Sequence, residues 1–590
     1  MYRMATDIPS LLGVNGLALQ AERVEQVSVD GALTVRSLWG VGKMNVGSAR
    51  DTKPVPVVEM TRTIFPSRSL PLMCEHYVLR NVGGKPLAVY IPEFSQVVTT
   101  DPAKGVAGSY VVRGDLAGSG TFMLVPADSL AFDAVFQAYR SDEEPLRPDV
   151  AAEYAARMEF VHGCIDANLV LETPDPVIDT EFRYAKLRAA ESIIETRGGY
   201  MHAPGGESYY AAVWANDQAE YVNPFFPFLG YGTGNESALN SFRHFARFMN
   251  PGYEPLPSSI IAEGDDIWNG AGDRGDAAMI ACGAARYALA RGSRAEAEEL
   301  WPLIEWCLEY CRRKLTADGV VASDTDELEG RFPTGEANLR TSTLYYDALL
   351  SAVPLGRELG VMPAVTARYA AEAGVLAKAI DAHFGGEVGG YDTYRYYDGN
   401  TLLRSWICMP LIVGLRERCE GTVRALLSPE LLTDDGLLTE QGGATFWDRS
   451  TLYALRGIYN AGYADRATEM LHRYSQRRLL GDHVPYPIEA WPEGSQRHLS
   501  AESGLYCRIV TEGLFGIRPA GLRSFDLTPG MPSAWERMSL RRIRAFDADF
   551  DISVGREVGG KLRITVMQAG KKPKIYRAAP GATIRVKLTD

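Results

Sequence analysis

Residues 275–315 read GDAAMIACGAARYALARGSRAEAEELWPLIEWCLEYCRRKL. Two helices are written in this stretch, over 275–291 and 293–315. In the second, Leu300, Leu303, Ile304, Cys307 and Leu308 recur at helical spacing and mark one apolar face. Arg291, Gly292 and Ser293 leave room only for a tight reversal, so the pair closes as an antiparallel helical hairpin. On either side lie long loops, 251–274 and 317–339, loaded with aromatic and acidic residues. The alternation repeats along the chain. Further helices are expected at 178–196, 217–230, 235–249, 340–359, 363–384, 404–417, 447–461, 463–478 and 500–515, and long loops at 197–216, 385–403, 429–446 and 479–499. Short plain loops close hairpins at one end and the loaded loops gather at the other. The pattern predicts an (α/α)6 toroid of paired helices with a decorated mouth, where function concentrates.

Outward from this core the period changes. Residues 1–140 carry short β-branched and aromatic runs, such as 77–80 and 109–113, separated by turn signals at 81–86 and 105–108. They predict an N-terminal antiparallel β-sandwich. A linker at 141–175 holds one amphipathic stretch, 148–160. Residues 176–518 are the helical domain. Residues 519–590 return to alternation in 542–554, 561–568 and 582–588, a small C-terminal β-sandwich.

Over 590 residues, 46% hydrophobic and 23% charged, the composition is that of a soluble globular protein and excludes long disorder, collagen and coiled coil. The net charge of −13 argues against nucleic acid or an anionic membrane as partner. Nine Trp and 29 Tyr suit a ligand with flat apolar faces, such as a sugar, and equally suit large cores. The eight cysteines are scattered, with no CxxC pair, and are read as reduced thiols of a cytoplasmic protein. The opening MYRMATDIPSLLGVNGLALQ lacks a basic start and a long apolar run, although a periplasmic or secreted chain trimmed of its leader reads the same way. No run of 18 apolar residues predicts a membrane span. We expect no cofactor and no metal; the acidic loop 263–276 is rich in oxygen ligands but lacks EF-hand spacing.

Five loops carry the chemistry. In the first, Trp214 and Asp217 present an indole face beside a carboxylate, as sugars require; Asp217 also reads as a helix cap. In the second, Trp268 and Asp273 are binding candidates. The third, 323–336, clusters Asp324, Asp326, Glu327, Glu329 and Glu336 around Arg331. Crowded carboxylates raise one another's pKa, and an acid that stays protonated near neutrality is what leaving-group protonation needs. The fourth repeats the aromatic-plus-acid pair as Trp447 and Asp448. The fifth sets Glu489 and Glu493 beside Tyr486 and Trp491, stiffened by prolines. The third and fifth loops lie about 160 residues apart but on the same side of a toroid, so they can flank a glycosidic bond.

The order of these parts resembles the six-hairpin (α/α)6-barrel glycoside hydrolase superfamily, and is similar to its bacterial glucoamylase, trehalase and processing-glucosidase types. Trp214-Ala215-Asn216-Asp217 resembles their substrate-binding W-x-R-D, with Asn216 in place of the arginine. The segment 326–331 stands where those families place the general acid, which the resemblance assigns to Glu329, then Glu327. Glu489-Ala490-Trp491-Pro492-Glu493-Gly494 resembles their base region, which makes Glu489 the general base and Glu493 the second choice. The implied activity is that of an exo-acting, inverting glycosidase, with Trp214, Asp217, Trp268, Arg331, Trp447 and Asp448 holding the terminal sugar. A glycoside phosphorylase using Gln496, Arg497, His498 and Ser500 is the alternative, and a non-catalytic carbohydrate-binding protein the third reading.

Overall fold

The computed structural model describes residues 6–41, 55–105, 107–203, 212–261, 266–481, 485–491 and 501–589. The chain divides into two compact units, Met1–Gly163 and Cys164–Asp590. Among the described residues no helix is long and apolar enough to cross a membrane.

The first unit is built on β-branched, alternating segments that pair in sequence order. Leu17–Val29, Leu33–Val41, Pro56–Pro66 and Leu72–Asn81 form successive antiparallel pairs. Ser129–Arg140, Tyr110–Ala117 and Ser95–Thr99 extend one edge; Gly13–Val14, Leu87–Ile91 and Gly120–Leu124 extend the other. The ten strands make one continuous sheet where two facing sheets were expected. A sheet this large curls under its own twist. Val89, Ile91 and Leu124 from one end therefore share a core with Tyr77, Leu79 and Phe132 from the middle. The helix Val150–His162, capped by Asp149, is tied to this sheet through Arg157 on the Gly31 carbonyl at 2.8 Å and Ser67 on Glu153 at 2.6 Å.

In the second unit, helices come as inner and outer members of hairpins. Asp276–Arg291 is buried on every side from Asp276 to Ala290, as a helix enclosed by others must be. Its partner Arg294–Arg313 buries one face, the stripe Leu300, Leu303, Ile304, Cys307 and Leu308 read from the sequence. Ser293 caps the partner by accepting from the Glu296 amide. Gly292 between them is left-handed, and a Cβ there would meet the Asp547 amide at 2.5 Å. Leu339–Leu359 with Pro363–Phe384, and Asp448–Asn460 with Ala464–Tyr474, follow the same plan.

Two expected helices are broken. Over 217–230 the chain forms a π-helical segment, Ala215–Val222, then a short helix Phe226–Leu229, because Pro224 and Pro227 interrupt the amide ladder. Over 404–417 a 3₁₀ turn leads into Met409–Val413, which stops at left-handed Gly414. A further helix, Cys419–Leu426, lies between the expected helix 404–417 and the expected loop 429–446, where no element was expected. The expected strand 542–554 is two, Arg537–Ile543 and Phe550–Arg556, separated by a turn with Phe546 and Asp547 at positive φ. Val170–Glu172, which precedes the helices, pairs with Arg537–Ile543 and completes a five-stranded sheet. None of the eight cysteines is in a disulfide, and all but Cys419 are buried.

Gly283, in the middle of an inner helix, positions the π-helical segment. A Cβ there would lie 1.7 Å from the Ala219 carbonyl oxygen, so only glycine permits the approach. Gly283→Ala is expected to lower the thermal midpoint, with a cost of about 1–3 kcal/mol or more from overpacking. Gly374→Ala, on an exposed helical position with open space around it, should be neutral or mildly stabilising.

Candidate active site

The site residues stand at the N-terminal ends of helices, where the long loops deliver them. Asp217 lies in the first turn of the π-helical segment, Asp276 opens one helix, and Arg340, Arg449 and Glu502 are each the second residue of theirs. Strand pairing aligns the two tryptophans of the first and second loops. Trp214 is opposite Ser259, and Ser259 is opposite Trp268. Their rings are 5.2 Å apart, and the Arg274 guanidinium lies 5.4 Å from one and 5.9 Å from the other.

Arg274 is fully buried and links two loops. It pairs with Asp276 at 2.9 Å, donates to the Asn216 side-chain oxygen at 3.3 Å, and reaches Glu329 at 3.3 Å. Asn216 thus meets a guanidinium brought by the neighbouring loop.

Arg449 is the second hub. It donates to Glu327 at 2.9 Å and to Glu502 at 3.1 and 2.6 Å, and lies 3.7 Å from Asp217. Tyr221 also donates to Glu327. Burial would raise the Glu327 pKa, but Arg340, Arg449 and these hydrogen bonds outweigh it and hold the carboxyl below its ordinary range. Asp217, 5% exposed, goes the other way. Burial pushes it well above the usual carboxylate value, with Arg449 opposing and Glu502 and Glu489 adding to the rise. Glu502 is raised for the same reasons.

Glu329 is more open than Asp326 and Glu327, which are buried, with 24% of its side chain exposed. Its backbone is left-handed at φ 59°, a strained setting for a residue with a Cβ. Burial raises its pKa most; Arg274 and Arg331 pull it down, and Glu489 pushes it up. Glu489, 9% exposed, therefore lies within electrostatic reach of Glu329, Asp217 and Glu502 together. It is held there by a short strand pairing, Trp447 opposite Ala490.

No family model matches the chain, and no curated protein matches it. Solved structures do. A bacterial glucoamylase complexed with acarbose superposes with a TM-score of 0.55 at 11% identity, over 84% of this chain and 85% of that one. A chain assigned as a kojibiose phosphorylase from human microbiome gives 0.53 at 9%, over 95% and 84%. At this identity the likeness is one of fold. A sialidase gives 0.55 at 11%, over 95% of this chain; the chain spans only 61% of that protein's length.

Within this chain, Glu327, Glu329, Glu489, Asp217, Trp214 and Trp268 come from four loops into one cluster. Other expected site residues have different surroundings. Trp447 is buried against Leu328 and Ala490, with Arg331 and Arg449 over its ring at 5.1 and 5.3 Å. Asp448 is committed to Arg478 at 3.1 Å and the Ile488 amide at 2.8 Å, which ties down the loop bearing Glu489. Asp273 accepts from Tyr310 and the Gly275 amide, and its carbonyl holds the amides of Asp324 and Thr325. Tyr486 packs on Arg188. Trp491 pairs through its backbone with Phe446. Glu493, Gln496, Arg497, His498 and Ser500 lie outside the described residues. Among the described residues no group of three or more His, Cys, Asp or Glu side chains is arranged to hold a metal ion.

Proposed function

We propose that this protein is an exo-acting, inverting glycoside hydrolase whose six hairpins close as an (α/α)6 toroid over residues 176–518, between a β domain at 1–140 and another at 519–590. One feature carries the reading: Glu329 and Glu489, 160 positions apart in sequence, stand in one cluster, within electrostatic reach. Glu329 is the general acid. Its raised pKa favours the protonated form, and it is open enough to meet a glycosidic oxygen. Glu327 is a poor donor, because Arg449 and Arg340 keep it ionised. Glu489 is the general base. It accepts a proton from water as the water attacks the anomeric carbon, while Glu329 delivers its own proton to the departing oxygen. Asp217 and the tilted pair Trp214 and Trp268 hold the sugar, and a carboxyl separation of about 6.5–9.5 Å leaves room for the water.

A phosphorylase replaces the base with a phosphate pocket, so a buried carboxylate at 489 favours water as the nucleophile. The test is the product. Proton NMR of fresh hydrolysate should show the anomer opposite to that of the substrate, without added phosphate. Glu489→Gln should cut kcat by about 10²–10⁴-fold. Retained configuration, or turnover that needs phosphate, overturns this reading.

A further inference from the structure

The inner helices carry a second charged centre at their far ends. Helix Asp448–Asn460 has Arg449 at its start and Asn460 at its end, about 16 Å away at 1.5 Å per residue. Helix Asp276–Arg291 likewise carries Arg286 about 15 Å beyond Asp276. There a cavity of about 560 Å³ opens between the hairpin turns at 414–416 and 460–464 and the β turns at 528–531 and 580–583. Arg286, Arg416 and Arg518 line it, together with Glu512.

The charge balance behind this wall is uneven. Arg286 pairs with Asp347 at 2.5 Å and with Glu512 at 3.0 Å. Arg456 and Arg508 also converge on Glu512, at 2.9 and 2.5 Å, and Arg518 reaches Asp347 at 2.9 Å. Arg416 is held by the backbone carbonyls of Leu411 and Asn460. Four guanidiniums thus meet two carboxylates, with Arg416 a fifth at the wall, in a protein whose net charge is −13. Both acids stay ionised, Glu512 pulled down to about 2 despite burial. Arg456 is lowered, by burial first and then by Arg508, with Glu512 opposing. The rim is low and polar, with Gly530, Gly581 and the mutually bonded hydroxyls of Thr528 and Thr583. The reaction proposed above uses none of these groups.

We propose that this cavity binds a small organic phosphate, with the phosphate on Arg416 and Arg518, Arg286 behind it, and the organic body against Tyr459 and Met531. A phosphate dianion matches guanidinium forks in geometry and charge. The cavity is much larger than the ion alone, since even one water occupies only about 30 Å³ of liquid.

The test is calorimetric titration of the full chain with glucose 6-phosphate, inorganic phosphate and glucose. Glucose 6-phosphate should bind more tightly than inorganic phosphate and be displaced by it. Arg518→Ala should weaken that binding about tenfold or more, as loss of a charge-assisted contact does. Thr528→Glu, which adds negative charge at the rim and leaves the buried pairs intact, should do the same, and carries the test if Arg518→Ala does not fold. Glu329→Gln should leave it unchanged, which separates this cavity from the carboxylate site. No binding of either phosphate at millimolar concentration overturns the proposal. So does affinity insensitive to Thr528→Glu, or equal affinity for glucose and its phosphate. Equal affinity for the two phosphates overturns the organic body.

Discussion

Glu329→Gln should lower kcat on an unactivated glycoside by about 10³-fold, within the range lost with a general acid, and leave sugar binding nearly unchanged. Glutamine keeps the shape and the contacts to Arg274 and Arg331 but has no proton to give. The loss should shrink sharply on an aryl glycoside with a strongly acidic phenol, which departs without protonation. The pH profile supplies a second readout. The need for an ionised base limits the acid side. A general acid works only while protonated, so wild-type kcat should fall as pH rises through the Glu329 pKa. Burial sets that limb above the ordinary carboxylate value of about 4.3. In Glu329→Gln the limb should vanish. Steady-state rates across pH on both substrate types check this, and an unchanged alkaline limb removes Glu329 from the role.

Much of the architecture is legible from periodicity. The stripe at Leu300 to Leu308, the three-residue reversal at 291–293 and the long acidic loops prescribe paired helices with one busy end. What misled was local. Prolines at 224, 227 and 410 sit inside apolar runs that otherwise read as helix, and the missing amide donors break them. The curl of the N-terminal sheet depends on accumulated twist, which alternation does not record.

The candidate site is legible in its acids and aromatics, and illegible in its cations. Trp214, Asp217, Glu327, Glu329 and Glu489 stand in loops whose composition draws notice. Arg274, Arg340 and Arg449 look like ordinary arginines among many, and Glu502 sits in an apolar helical stretch. Their roles arise only when helix starts converge. The one available signal was Arg274, a single cation flanked by Asp273, Gly275 and Asp276. The same convergence explains why Asp448 and Asp273, which share composition with the proposed site residues, are spent on Arg478, Tyr310 and backbone amides.

Arg449→Met should be the most damaging single change to stability. Arg449 neutralises Glu327 and Glu502 at once and lies near Asp217, and none of these acids has more than a few per cent exposure. Removing one partner of a buried ion pair costs about 3–5 kcal/mol, because the remaining charge is left without water or counterion. The stranded carboxyls can respond only by taking up protons, so their folded-state pKa values should rise above those in the unfolded chain. A group shifted in that direction contributes stability that is present below its unfolded pKa and lost as pH rises through the folded one. The deficit of Arg449→Met relative to wild type should therefore be smallest near pH 4 and grow toward neutrality. Adding Glu502→Gln, which removes one stranded charge, should recover part of the loss, although Glu502→Gln alone destabilises the wild type. Denaturation midpoints of the four proteins across pH complete the cycle. A deficit independent of pH, with no recovery in the double variant, would show that Arg449 acts through packing and not as the counterion of this cluster.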